Sequence, residues 1–198
     1  LRPGGHHARK LQGKGEFILD RSESYIGTLI DDLVTSGTEE PYRMMTSRSE
    51  YRLYLRQDNA DIRLSGIGHE LGLISDERYG RVLKKYELVK SELKRLENTH
   101  LAPSPEINAM LTEKGMPPLS TGISLANLLR RPQLDYDDIA PFDPEGGVPR
   151  AVIEEVEIEL KYSGYIEKQL RQIKEARRME ERLIPEDTDY SFINGLRL

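Results

Sequence analysis

The sequence predicts a mainly α-helical fold in which long amphipathic helices pack as a bundle. Three observations lead there. Residues 76–98 repeat apolar side chains at steps of three and four, the spacing of one helix face. Residues that start helices precede apolar-periodic runs at Ser22, Ser75 and Pro149. Hydrophobic residues make up 37% of the 198-residue chain, charged residues 32%, and mean hydropathy is −0.61. Such a chain buries a core but shows more polar helix face than a compact enzyme does. Its length admits one large domain or two small ones.

The elements follow in chain order. LRPGGHH, residues 1–7, reads as an expression remnant, because His6-His7 at a terminus lack a third ligand. Ser22 caps a helix running to about Ser36, with Tyr25, Ile26, Leu29, Ile30 and Leu33 as its apolar stripe and Gly37 as its stop. Ser47 and Glu50 have capping-box spacing, which starts a helix there. On that helix Arg48, Arg52 and Arg56 share a face, beside Tyr51 and Leu55. A strand is the rival, since Tyr51, Leu53 and Leu55 alternate with Arg52 and Tyr54. Asp58-Asn59-Ala60-Asp61 reads as a turn.

Ser75 then caps a helix over 76–98, about 34 Å long at the standard rise. Tyr79, Val82, Tyr86, Val89, Leu93 and Leu96 form a heptad seam that requires a partner helix. LAPSP breaks the chain at 101–105. Short helices follow around 107–114 and 125–130, and 132–149 is a proline-rich acidic loop with one helical turn. Pro149 opens a helix reaching Tyr162, Ser163-Gly164 interrupts it, and a last helix runs from Tyr165 to about Ile184. The long helices 76–98, 149–162 and 165–184 are expected to bundle antiparallel.

Several functions are excluded on this piece. The chain has no cysteine, hence no disulfide, thiolate metal site or cysteine nucleophile. It carries no G-x-G-x-x-G, P-loop or H-E-x-x-H pattern, and no stretch near the roughly 20 apolar residues of a membrane span. No signal peptide precedes Leu1, so a cytoplasmic location with no membrane association is expected. His69 and His100 are isolated and read as packing or surface residues. Asp135, Asp137 and Asp138 lack calcium-loop spacing and read as a solvated loop. Formal net charge is −5, which argues against generic nucleic-acid binding but leaves room for a local basic patch.

Residues 41–63, PYRMMTSRSEYRLYLRQDNADIR, are such a patch, with five arginines and three tyrosines. Arginine forks match phosphate oxygens, and arginine and tyrosine stack on unpaired bases. Glu50, Asp58 and Asp61 lie in the same stretch, so the arginines can equally brace a domain junction. Nucleic-acid contact through Arg43, Arg48, Arg52, Arg56, Arg63, Tyr51 and Tyr54, and a purely structural strut, both stand on the residues alone.

SESYIGTLIDDLV, EPYRMMTSRSEYRLYLRQDNADIRL, LGLIS and KYSGYIEKQ resemble the C-terminal part of the tRNA uridine 5-carboxymethylaminomethyl modification enzymes, the MnmG or GidA family. The resemblance runs from about Ala8 to Leu198, and residues 40–64 are its most specific motif. It implies a helical C-terminal domain at 65–198, truncated before a last subdomain beyond Asn194-Gly195-Leu196. Residues 8–64 are then the end of an α/β FAD-binding domain and the junction. It also implies an enzyme that, with the GTPase MnmE, adds an aminomethyl or carboxymethylaminomethyl group at C5 of a tRNA wobble uridine. FAD, NADH and methylenetetrahydrofolate serve that chemistry, and the full-length protein is expected to form a homodimer. The family's FAD-binding glycines and cysteines have no counterpart here, so the piece by itself is expected to be inactive. The resemblance favours tRNA contact by the arginine stretch. The alternative is a helical protein-interaction module that braces the flavin domain without touching RNA.

Overall fold

The computed structural model describes residues 17–37 and 39–183, with isolated positions 9, 11, 13, 15 and 185. His6-His7 and Asn194-Gly195-Leu196 lie outside the described residues. The fold is mainly helical, as expected.

Helix α1 spans Tyr25–Thr35, and the Ser24 hydroxyl accepts the Gly27 N–H at 3.0 Å. The cap is two residues later than expected, because Ser22 donates instead to the Asp20 carboxylate. The helix also sits the other way round. Gly27 and Thr28 are buried, while Ile26, Ile30, Leu33 and Val34 of the apolar side are exposed. A side chain at 27 would collide with the Asp20 carbonyl, 2.2 Å from an ideal Cβ, so this small-residue edge is the one that packs.

The helix expected from Ser47 does not form. A short 3-10 turn, Thr46–Arg48, is followed by extended Ser49 and a tight turn at 51–54, closed by Tyr54 and Leu55 N–H groups on the Tyr51 carbonyl. Glu50 is drawn off to Arg21 rather than back to a cap. Arg48, Arg52 and Arg56 therefore do not share a helix face.

Helix α2, Ala60–Glu70, begins inside the expected turn at 58–61. Its glycines let it lie close to the next helix and to the connection between them: an added Cβ would sit 3.4 Å from the Tyr79 hydroxyl at Gly66 and 2.9 Å from Ile74 Cδ1 at Gly68. Gly72, at φ +71°, takes the left-handed conformation that ends the helix, with Leu73 N–H returning to the Gly68 carbonyl. Helix α3, Asp76–Asn98, has the expected bounds and Ser75 cap. Asp76 and Glu77 in its first turn suit the helix dipole.

Helix α4, Pro105–Glu113, carries Ser104 as cap and Pro105 at its start. The strands β1 (His100–Leu101) and β2 (Ile123–Ser124) pair antiparallel, His100 opposite Ser124. Helices α5 (Leu125–Leu129) and α6 (Tyr136–Ile139) follow, the latter under an Asp135/Asp138 capping box.

Helix α7 is the main departure. It runs unbroken over Arg150–Glu180, 31 residues and about 46 Å. Ser163 donates to the Leu160 carbonyl and Gly164 meets nothing, so neither residue interrupts the helix. Packing at both ends keeps it continuous. Val152, Val156 and Leu160 join the core upstream, and Ile166, Gln169 and Ile173 are buried downstream. The three-helix bundle is thus one long pair, α3 and α7, with α4, α5 and α6 wedged alongside. Val89 and Leu96 of the α3 seam are buried in that core with Leu111, Leu125 and Ile139, and Tyr86 and Leu93 are half-buried on it. No described helix is long and apolar enough to cross a membrane.

Candidate nucleic-acid interface

The arginine stretch is held between the start of α1, the start of α2 and the distal half of α7. Three devices fix it. The Gln169 side chain, on α7, donates from Nε2 to the Glu50 carbonyl and accepts the Tyr54 N–H at Oε1, each at 2.8 Å. Tyr51 and Leu55 are buried with Ile173. Arg21 forks onto Glu50 at 2.7 and 3.0 Å while its remaining nitrogen meets Asp31 and Asp32. These carboxylates raise the Arg21 pKa, the Glu50 hydrogen bond first among them, so it stays charged at any working pH.

Within this frame the seven sequence-predicted residues separate. Arg63 spends its donors inside the protein, on Asn59 Oδ1, the Glu23 carbonyl and the Arg56 carbonyl at 2.7–2.9 Å. Burial pulls its pKa down. Arg56 reaches Asp58, the Leu53 carbonyl and, at 3.4 Å, Glu159 of α7. Tyr51 is packed away, and burial pushes its phenol pKa up. Tyr54 is half-buried at the rim of a 250 Å³ cleft with Leu170, Arg63 and Arg177.

Arg43, Arg48 and Arg52 are exposed. Arg48 lies over the Tyr42 ring, 4.8 Å from its centroid, and the Tyr42 hydroxyl donates to Asp32 at 2.5 Å. Arg43 and Arg52 make no ion pair among the described residues. The arrangement offers free guanidinium groups on a pinned backbone, the form that phosphate contacts take.

Arg21 and Gln169 escaped sequence reasoning. Gln169 lies 119 residues from Glu50, beyond any local pattern, although it is the last residue of the KYSGYIEKQ motif. The acidic residues at 135–138 are structural. Asp135 caps α6, Asp138 pairs with Lys114 at 2.7 Å, and Asp137 pairs with Arg150 at 3.0 Å. No cluster of three metal-ligating side chains occurs among the described residues. His69 stacks on Tyr79 and lies 2.6 Å from Asp76, and His100 contacts the Asn98 carbonyl.

The chain carries no G-x-G-x-x-G turn at a helix start to cradle a dinucleotide. Five helix starts each have one backbone N–H taken by their own cap, Ser24, Ser75, Ser104, Ser124 and Asp135. The left-handed glycines Gly37, Gly72 and Gly115 follow helix ends, and Gly147, ahead of α7, stands in no such motif.

Comparison with known proteins agrees with this layout. Residues 76–170 match the family model of the tRNA modifying enzyme MnmG/GidA C-terminal helical domain. The chain is 54% identical over 194 residues to the tRNA uridine 5-carboxymethylaminomethyl modification enzyme MnmG of Caldicellulosiruptor saccharolyticus, covering 98% of this chain and 31% of that protein. It is 52% identical to the MnmG of Lachnoclostridium phytofermentans, covering 100% of this chain and 32% of that one. Aquifex aeolicus GidA, in its form II crystal, superposes with a TM-score of 0.76 at 38% identity, over 98% of this chain and 30% of that chain. The chain therefore spans about a third of the length of these relatives. From the extent of these matches and the helical architecture, the chain belongs to the MnmG/GidA family, and residues 76–170 are its C-terminal helical domain.

Proposed function

We propose that this chain is part of a longer enzyme that modifies C5 of the wobble uridine in certain tRNAs, and that its arginine stretch contacts the tRNA. The activity is carried over from relatives 54% and 52% identical over nearly the whole chain, which are tRNA uridine 5-carboxymethylaminomethyl modification enzymes. In this reading the GTPase MnmE is the partner, the full-length protein is a homodimer, and FAD, NADH and methylenetetrahydrofolate supply redox equivalents and the one-carbon unit. The residues here do not build the flavin site, so its binding falls to the part of the relatives' length that this chain does not span. The isolated chain is then colourless and does not oxidise NADH, and a cytoplasmic setting suits a tRNA substrate.

One observation carries the RNA contact. Of the five arginines, Arg56 and Arg63 are saturated by internal acceptors, whereas Arg43 and Arg52 are exposed without an ion pair among the described residues, Arg48 is exposed across the Tyr42 ring, and Gln169 and Arg21 hold the backbone on either side of Arg52. Saturation of Arg56 and Arg63 favours a bracing role for that pair, so strut and contact coexist in one stretch.

Filter binding of a tRNA transcript across a salt series tests this. Three phosphate contacts give a log–log salt slope of about −2. Arg43→Ala, Arg48→Ala and Arg52→Ala should each flatten it by about 0.7 and leave the melting temperature unchanged. Arg56→Ala should instead lower the melting temperature. Unchanged RNA affinity in all three exposed variants would leave the stretch purely structural.

A further inference from the structure

We propose that Gln169 is the positioning residue for Arg52, holding the turn at 51–54 so that this guanidinium is presented to RNA. The proposal rests on the tRNA reading above and deepens it. Gln169 is 8% exposed, and its amide makes the two hydrogen bonds that a neighbouring strand would make, donating to the Glu50 carbonyl and accepting from the Tyr54 N–H. Those two groups bracket residues 51–53. Tyr51 on one side of Arg52 is buried against Ile173, and Glu50 is forked by Arg21. Tyr51 beside Arg52 and the backbone at Glu50 and Tyr54 are thus held, while Arg52 itself is exposed with no ion pair among the described residues.

The economy of the arrangement points the same way. A buried amide is tolerated where its hydrogen bonds are satisfied, and an apolar side chain would pack against Tyr51 and Ile173 without needing any. The carboxamide adds registry: it selects one position of the turn along α7. A long arginine loses less freedom on binding phosphate when its own backbone is already immobile. Anchoring by a residue 119 positions away also couples the turn to the helical domain, so the contact moves with α7 rather than with the loop.

The test is a double-mutant cycle on the 198-residue chain with a full-length tRNA transcript as probe. Gln169→Leu should weaken binding about three- to tenfold, the scale of one net hydrogen bond. It should flatten the salt slope by about 0.7 and speed exchange of the Tyr54 amide. It should add nothing to Arg52→Ala, because the contact is already gone, yet combine fully with Arg43→Ala. Gln169→Glu retains the acceptor for Tyr54 but cannot donate to Glu50 when ionised, and should fall between wild type and Leu; it also serves if the Leu variant does not fold. Full additivity of Gln169→Leu with Arg52→Ala, or unchanged affinity in both Gln169 variants while Arg52→Ala weakens binding, overturns the positioning role alone. A wild-type chain that binds no tRNA, or an Arg52→Ala variant that binds as wild type, overturns the tRNA reading at this residue and the proposal with it.

Discussion

The helical domain from α3 onward and the region before it use the same residue types in opposite ways. In the helical domain the apolar faces turn inward: Leu96, Leu111, Leu125, Leu128, Leu129 and Ile139 are at most 1% exposed. Its buried charges are paired. Arg95 bridges Glu92 and Asp143 at 2.6 and 2.5 Å, and Lys85 bridges Asp61 and Glu155 between α2, α3 and α7. In α1 the apolar face turns outward, and the packed edge is Gly27 and Thr28. Its region keeps some arginines pinned and others free. The helical domain packs around its own buried core. The region before it is shaped as a surface, with stability borrowed from α7 through Gln169, Ile173 and Arg177.

The sharpest way to break that contrast is to damage the helical core, first its packing and then its buried ion pairs. Leu96→Ala, fully buried in the α3 seam, should cost about 3–5 kcal/mol in chemical denaturation. Next comes Arg95→Met. It leaves Glu92 and Asp143, 4% and 1% exposed, without their shared cation, and should cost about 3 kcal/mol. A cost near zero in either would mean that the α3–α7 core is not what holds the domain.

Legibility in the sequence follows the same division. Helix α3 was readable because its seam, cap and first-turn acids all point to one answer. Helix α2 was not, since Ser65, Gly66 and Gly68 look like loop residues, and only contact with Ile74 and Tyr79 shows why small residues are needed. The turn at 51–54 was misread as a helix because Ser47 and Glu50 satisfy a local rule that distant Arg21 and Gln169 override. The chemical types in the candidate site were visible. Which arginines are free depends on acceptors 40 and 103 residues away, which no local pattern supplies.

Helix α7 joins the two regions, and Gly164 lies at the junction where a break was expected. An added Cβ there meets nothing, and the residue is helical. Gly164→Ala should therefore stabilise the chain by about 0.5–1 kcal/mol in thermal melts. Destabilisation would show that the two halves of α7 bend at this point.

A pH titration sharpens the contrast further. Asp20 is held below the ordinary carboxylate range. Burial opposes this, and the Ser22 hydroxyl and N–H, with Arg177 and Arg21, outweigh it. A folded-state pKa below the unfolded one means that the carboxylate contributes stability above about pH 4, the ordinary Asp value. That contribution fades as pH falls through the lower folded value. Asp20→Asn should cost about 0.5–1 kcal/mol at pH 7, and the difference between the two proteins should shrink as pH falls below the ordinary Asp value and through the lowered folded one. A difference that stays constant as the carboxylate is protonated would assign the effect to shape rather than charge.

The smallest effect is the most discriminating. Ile30 on α1 is 51% exposed and Val34 is 79% exposed, although their helix is the most apolar one before α3. An exposed isoleucine gains little from folding, because its surface stays in water on both sides of the transition. Ile30→Ser should therefore change stability by less than about 0.5 kcal/mol, the range of surface substitutions. The same exchange at Ile107, 1% exposed in the helical core, would cost several times more. Measuring both by urea denaturation also reads the slope, which scales with the surface exposed on unfolding. If Ile30→Ser costs 2 kcal/mol or lowers that slope, the outward face of α1 is covered in solution, and the contrast between an inward-packed domain and an outward-facing region fails. If it does neither, α1 is held by its packed edge at Gly27 and Thr28, by Tyr25 on the Tyr51 cluster and by the polar contacts of Asp31 and Asp32, and the Ile30 side of the helix is free surface.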